Sequence, residues 1–212
     1  MNFNDWKNPN SVIVKHFANA FDISYLRIEE ELKNLFSEQD VLSKEVITAR
    51  VKTLNAHYHT RLYRDTTDKV VNYLVREGME LERKLRDVRH PDYTIAGDIA
   101  FCEIHHCFVF ATKYCSFINS EVYPICDSLI CRVLNFFQKR DEFYKDRYLK
   151  LGEVREAADY RKFVGILDSF RNKYGLESCS YREIDKYLWL VGVNVKSFKD
   201  EGEKSDLTIS RI

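Results

Sequence analysis

The chain has 212 residues, 45% of them apolar and 31% charged. That is long enough to bury a substantial interior without a disulfide or metal staple, too apolar for disorder, and too often interrupted by charge for a membrane span. Lys plus Arg and Asp plus Glu both number 33, with only 7 Gly and 3 Pro. The balance excludes a globally basic coat for nucleic acid, and the scarcity of turn formers excludes a sandwich or barrel.

Helical periodicity dominates, and it predicts an all-α fold: a single globular domain of about eight helices over residues 1–193, followed by a polar tail over 194–212. After Pro9, the spacing of Ile13, His16, Phe17, Ala20 and Phe21 predicts a first helix, with a break at Asp22 to Ser24 and a second helix from Tyr25 to Ser37. Ser43 is positioned to cap a third, carrying Val46, Ile47, Val51 and Leu54, which ends near the string Asn55-Ala56-His57-Tyr58-His59-Thr60-Arg61. A fourth, capped by Asp65 or Thr66, carries Val70, Val71, Leu74 and Val75. Gly78 weakens its middle, and the mixed charges from Arg76 to Arg89 read as a solvated face.

Past His90-Pro91-Asp92, the most apolar stretch, Thr94 to Phe117, predicts one central buried helix containing Ile99, Phe101, Ile104, Phe108, Phe110 and Tyr114. Pro124 forbids helix in Val122 to Asp127, and Asp127 can cap the next helix, which carries Leu129, Val133, Leu134 and Phe137. Between Lys139 and Lys162, eight basic residues stand against six acidic ones, a weak local excess. Tyr160, Phe163, Val164, Leu167 and Phe170 mark a seventh helix. Ser180-Tyr181-Arg182-Glu183 is a capping box opening an eighth, which Gly192 is placed to stop.

The first residues show no basic segment followed by an apolar core, so a cytoplasmic protein is expected. Five of the six cysteines fall within thirty residues among Phe, Ile and Val, where thiols act as small hydrophobes, and all six are expected to be reduced. Cys102, His105 and His106 are spaced so that two of them can share a helix face and reach a metal. The spacing matches no strong zinc motif, and packed thiols with hydrogen-bonded histidines explain the same residues. No Walker loop, dinucleotide-binding glycine loop, His-Glu-x-x-His pair or Gly-x-Ser-x-Gly elbow is present.

The most informative segment is Ala111-Thr112-Lys113-Tyr114 followed by Tyr123-Pro124-Ile125-Cys126-Asp127-Ser128. It resembles the helix-hairpin-helix DNA glycosylase superfamily, especially small bacterial members in which an Ala-Ser/Thr-Lys-Tyr helix precedes a Tyr/Phe-Pro-Ile-x-Asp-Ser turn. Thr53-Leu54-Asn55-Ala56-x-Tyr58-x-Thr60 and Glu183-Ile184-Asp185-Lys186-Tyr187-Leu188-Trp189 look similar to the same group, so the resemblance covers roughly residues 40 to 192. It implies DNA as partner, no cofactor, and Asp127 as the catalytic carboxylate. It also places Asn55, His57, Tyr58 and Arg61 close to the pocket for a flipped base. The hairpin that should carry glycine, and in some members a catalytic lysine, reads His105-His106-Cys107-Phe108-Val109 here. This departs from lyase chemistry and from the usual backbone grip on a DNA phosphate.

The residues also support this reading on their own terms. Breaking an N-glycosidic bond builds positive charge on the sugar, and a carboxylate fixed at a helix start can stabilise that cation or activate a water. A plain N-cap explains Asp127 equally. Lys113 is either a nucleophile, if an apolar pocket keeps it neutral, or a side chain that snorkels its ammonium to solvent. The Asn55 to Arg61 string fits a base pocket or a cation–π helix end. Trp189 is expected in the core. A DNA glycosylase-like protein without lyase activity is the leading expectation. The alternatives are a non-catalytic helical module binding nucleic acid or a small ligand, and a helical interaction protein.

Overall fold

Helices supply all the regular structure in the computed structural model, which describes residues 3–37, 42–102 and 106–194; no strand occurs among them. Among the described residues, a 3-10 turn at Phe3–Lys7 precedes nine α-helices: α1 Ser11–Ser37, α2 Lys44–Tyr58, α3 Arg64–Leu85, α4 Thr94–Ala100, α5 Phe108–Ile118, α6 Ser128–Asp141, α7 Leu151–Glu156, α8 Tyr160–Lys173 and α9 Tyr181–Asn194. None is long and apolar enough to cross a membrane. The expected tail beyond Asn194, together with Ile104 and His105, lies outside the described residues.

Several expected helix starts rest on observed hydrogen bonds. Ser43 Oγ accepts the Val46 N–H at 3.3 Å. At α9, Glu183 Oε2 accepts the Ser180 N–H at 2.8 Å while Ser180 Oγ accepts the Glu183 N–H at 3.2 Å, a reciprocal capping box. The apolar faces follow the predicted spacing: Ile47, Val51 and Leu54 are buried in α2, and Val133, Leu134 and Phe137 in α6.

Four expectations are corrected. Asp22 to Ser24 does not interrupt the first helix, because α1 runs unbroken from Ser11 to Ser37; Asp and Ser cost only about 0.5 kcal/mol each inside a helix, unlike Gly or Pro. The single helix expected over Thr94 to Phe117 is two, α4 and α5, and the Cys107 N–H reaches back to the Ala100 carbonyl at 2.9 Å across their connection. The N-cap of α3 is Tyr63, in an extended conformation and without a side-chain cap bond, rather than Asp65 or Thr66. Gly192 does not end α9; the helix continues to Asn194. What that glycine supplies is space, since a Cβ there would lie 3.1 Å from Leu129 Cβ and 3.3 Å from Val133 Cγ2. Gly78 does break regularity: its φ of 50° and ψ of −136° kink α3.

The chain divides into two compact units. One contains Met1–Ser24, Asp127–Leu151 and Gly165–Ile212. Here α6 packs on α9, and Trp6, 1% exposed, meets Phe136 at 5.4 Å between ring centroids while its carbonyl accepts the Tyr187 hydroxyl at 2.5 Å. Trp189 meets Phe21 edge to face at 5.4 Å, a packing role as expected. The other unit contains Tyr25–Cys126 and Gly152–Val164. Helices α2, α3 and α4 surround α5 there, and α5 is buried on nearly every side, including at Thr112, Lys113 and Ser116.

Candidate functional site

Asp127 opens α6. Its φ of −121° and ψ of 177° are extended, and its Oδ1 accepts the N–H groups of Leu129 at 2.9 Å and Ile130 at 3.0 Å. The residue is 9% exposed. Sequence and backbone agree on why it sits there: Pro124, three residues earlier, prevents helix, and an Asp N-cap satisfies donors that a helix start leaves orphaned. The result is a carboxylate held nearly immobile against the positive end of a helix.

The residues leading to Asp127 are themselves fixed within the second unit. Tyr160 donates its hydroxyl to the Pro124 carbonyl at 2.5 Å, and its ring stacks on Tyr123 at 6.2 Å with 9° between planes. Burial pushes the Tyr160 phenol well above its usual range, so it remains a donor. Thr112 Oγ1, on α5, accepts the Cys126 N–H at 3.2 Å. The Asn119 amide, at the start of the same connection, donates to the Leu85 carbonyl at 3.0 Å. Thr112 and Tyr160 were not singled out from the sequence. The Ala-Thr-Lys-Tyr motif contained one of them, but the pairing spans 14 residues in one case and 36 in the other, beyond any local pattern.

The string at the end of α2 is organised by Asn55. Its Oδ1 accepts the Thr60 hydroxyl at 2.7 Å and the Leu62 N–H at 3.1 Å, and its Nδ2 donates to the Leu62 carbonyl at 2.9 Å. These bonds shape a turn in which His59 and Arg61 adopt left-handed φ values of 47° and 63°. Tyr58 donates to Glu29 Oε1 at 2.7 Å, and His57 Nε2 lies 3.1 Å from Glu31 Oε2, so α1 supplies two acidic partners that the sequence reading missed. Arg61 is exposed.

Lys113 differs from the snorkelling expectation. It is 4% exposed, and its Nζ lies 4.2 Å from the Tyr58 ring centroid, the arrangement of a cation on an aromatic face. Asn55, His57, Tyr58, Arg61 and Lys113 thus belong to one unit, where Tyr58 and Lys113 meet directly, while Asp127 belongs to the other.

The six cysteines are buried and form no disulfide. Burial pushes the Cys115 thiol far up, and Cys107 is raised first by its hydrogen bond with Cys102 and then by burial, so neither is a ready nucleophile. Among the described residues, which include Cys102 and His106, no three His, Cys, Asp or Glu side chains gather to hold a metal.

The chain is 36% identical over 119 residues to an uncharacterised protein of Haemophilus influenzae (strain ATCC 51907 / DSM 11121 / KW20 / Rd). That match takes in 55% of this chain and 47% of the relative, so the chain spans about half the length of the curated relative it matches. No solved structure matches it. The model of the family described as HI_0787_N, N-terminal domain, matches residues 10–122, more than half of the chain, and the chain belongs to that family.

Proposed function

We propose that the chain is a helix-hairpin-helix glycosylase-like protein that releases a modified base from DNA by monofunctional excision, with Asp127 stabilising the cationic sugar of the transition state. One observation carries this reading: a carboxylate only 9% exposed, whose Oδ1 is fixed by two N–H groups at the first turn of α6. The order of elements supports it, since two packed helices joined by a short connection, α4 and α5, precede the Pro124 turn and Asp127 as the resemblance implies. The Lys113 ammonium lies on the Tyr58 ring, which favours excision without a Schiff base. The DNA partner of this reading goes with a cytoplasmic location.

A non-catalytic nucleic-acid-binding module is the second reading. It is favoured by the stretch His105 to Val109, which runs into α5 and lacks glycine and lysine, and by Asn55, whose amide is engaged in the turn it shapes. Incubation with duplexes carrying alkylated, oxidised or deaminated bases, followed by cleavage of abasic sites, separates the two. The glycosylase reading expects strand breaks at one lesion class after alkali and none before it, together with a shallow dependence of affinity on salt because the chain has no net charge. DNA binding with no lesion released would support the binding module.

A further inference from the structure

The second unit contains an open cavity of about 620 Å³ between α3, α4 and Ala157-Ala158. That volume is in the range of small-molecule sites, and the lining chemistry restricts what would enter. Two aromatic rings, Tyr73 on α3 and Phe101 at the end of α4, contribute to its wall. Phe101 is 51% exposed, with its ring 5.2 Å from that of His106, and it leaves apolar surface on the cavity wall.

Among the described residues, two charged side chains line the cavity, and they are in different states. Arg76 donates its Nε to Glu77 at 3.0 Å, and its guanidinium lies 5.2 Å from the Tyr73 ring centroid, so its charge is already engaged. The Asp98 carboxylate has no hydrogen bond or ion pair among the described residues. We propose that this cavity binds an organic cation, a primary amine with an apolar body, whose ammonium pairs with Asp98 while the body covers Phe101 and the Tyr73 edge.

Electrostatics support the sign of that charge. Partial burial, then Asp92 and Glu77, raises the Asp98 carboxyl above its usual range against an opposing Lys84, and burial followed by Asp98 and Glu77 raises the Tyr73 phenol to about 12 against an opposing Arg76. Burial is the larger cause of both shifts and carries no sign of charge; the acidic neighbours add a smaller contribution, and that contribution favours an incoming cation. The site is independent of the excision reading and stands or falls without it.

Isothermal titration of the full chain with phenethylammonium chloride at low salt tests the assignment, with 2-phenylethanol as the uncharged comparator. The expected result is saturable one-to-one binding of the ammonium. The alcohol should bind at least about tenfold more weakly, and Asp98→Asn and Phe101→Ala should each lower ammonium affinity by a similar factor. Asp98 and Phe101 are both exposed, so circular dichroism should show both variants folded. The absence of saturable binding would overturn the proposal, as would equal binding of the alcohol or unchanged affinity in a folded Asp98→Asn variant.

Discussion

Arg50 and Glu82 form a buried ion pair, with Nη1 and Oε2 2.9 Å apart and the Arg50 side chain wholly removed from solvent. Glu82 also accepts Arg86 Nη2 at 2.5 Å, and Arg50 and Arg86 donate to the Leu35 and Phe36 carbonyls at 3.1 and 3.2 Å. The cluster therefore ties the carbonyls at the end of α1 to α2 and α3. Arg50→Ala leaves the Glu82 carboxylate without its buried partner and the Leu35 carbonyl without its donor. Urea unfolding should show a loss of about 3–5 kcal/mol, far more than removal of the solvent-exposed Arg83 to Glu80 pair.

Gly192 is the close-packing point of α9 on α6. An alanine methyl there would meet the Leu129 Cβ, which cannot move without its backbone. Gly192→Ala should destabilise the protein by about 1–3 kcal/mol in spite of its better helix propensity. A gain in stability would show that the two helices can separate at no cost.

The turn before Asp127 depends on Thr112 and Tyr160. Thr112→Val preserves shape but removes the Thr112 Oγ1 that accepts the buried Cys126 N–H, for about 1–3 kcal/mol. Tyr160→Phe removes the donor to the Pro124 carbonyl, for about 1 kcal/mol. Chemical denaturation measures both costs. In the excision reading both variants lower turnover more than they raise KM, because they loosen the turn before the carboxylate and leave the α2 end intact.

Tyr73 provides a pH test. Its phenol is raised to about 12, first by burial and then by Asp98 and Glu77, against about 10 in an unfolded chain. Because the folded value is the higher, its contribution to stability is complete below pH 10 and is lost as pH rises toward 12. Absorbance at the tyrosinate band should show one fewer late-titrating phenol in Tyr73→Phe, and that variant should lose less stability between pH 10 and 12 than the parent.

What the sequence revealed was local. The Ser43, Asp127 and Ser180-Glu183 caps could be read because a cap is a short-range match between side chain and backbone, and all three make the expected bonds. The apolar faces of α2 and α6 could be read because burial imposes a period. The division between α4 and α5 could not: no Gly or Pro lies between Ala100 and Phe108, and an apolar run reads alike as one helix or two. The surroundings of the candidate site were hidden for a related reason. Glu29, Glu31 and Tyr160 act on residues 26 to 36 positions away, and only the tertiary fold brings them there.

Asp127→Asn and Asp127→Ser isolate the carboxylate proposed to stabilise the cationic sugar, because Asn and Ser both remain good N-caps and remove only the charge. Base release should be measured under single turnover on the lesion that the parent protein excises, beside the melting temperature of each variant. Melting should stay within a few degrees of the parent, and release should slow by about 10²–10³-fold in both variants. Release at the parental rate from either folded variant, or none from the parent on any lesion, would contradict that role of the carboxylate.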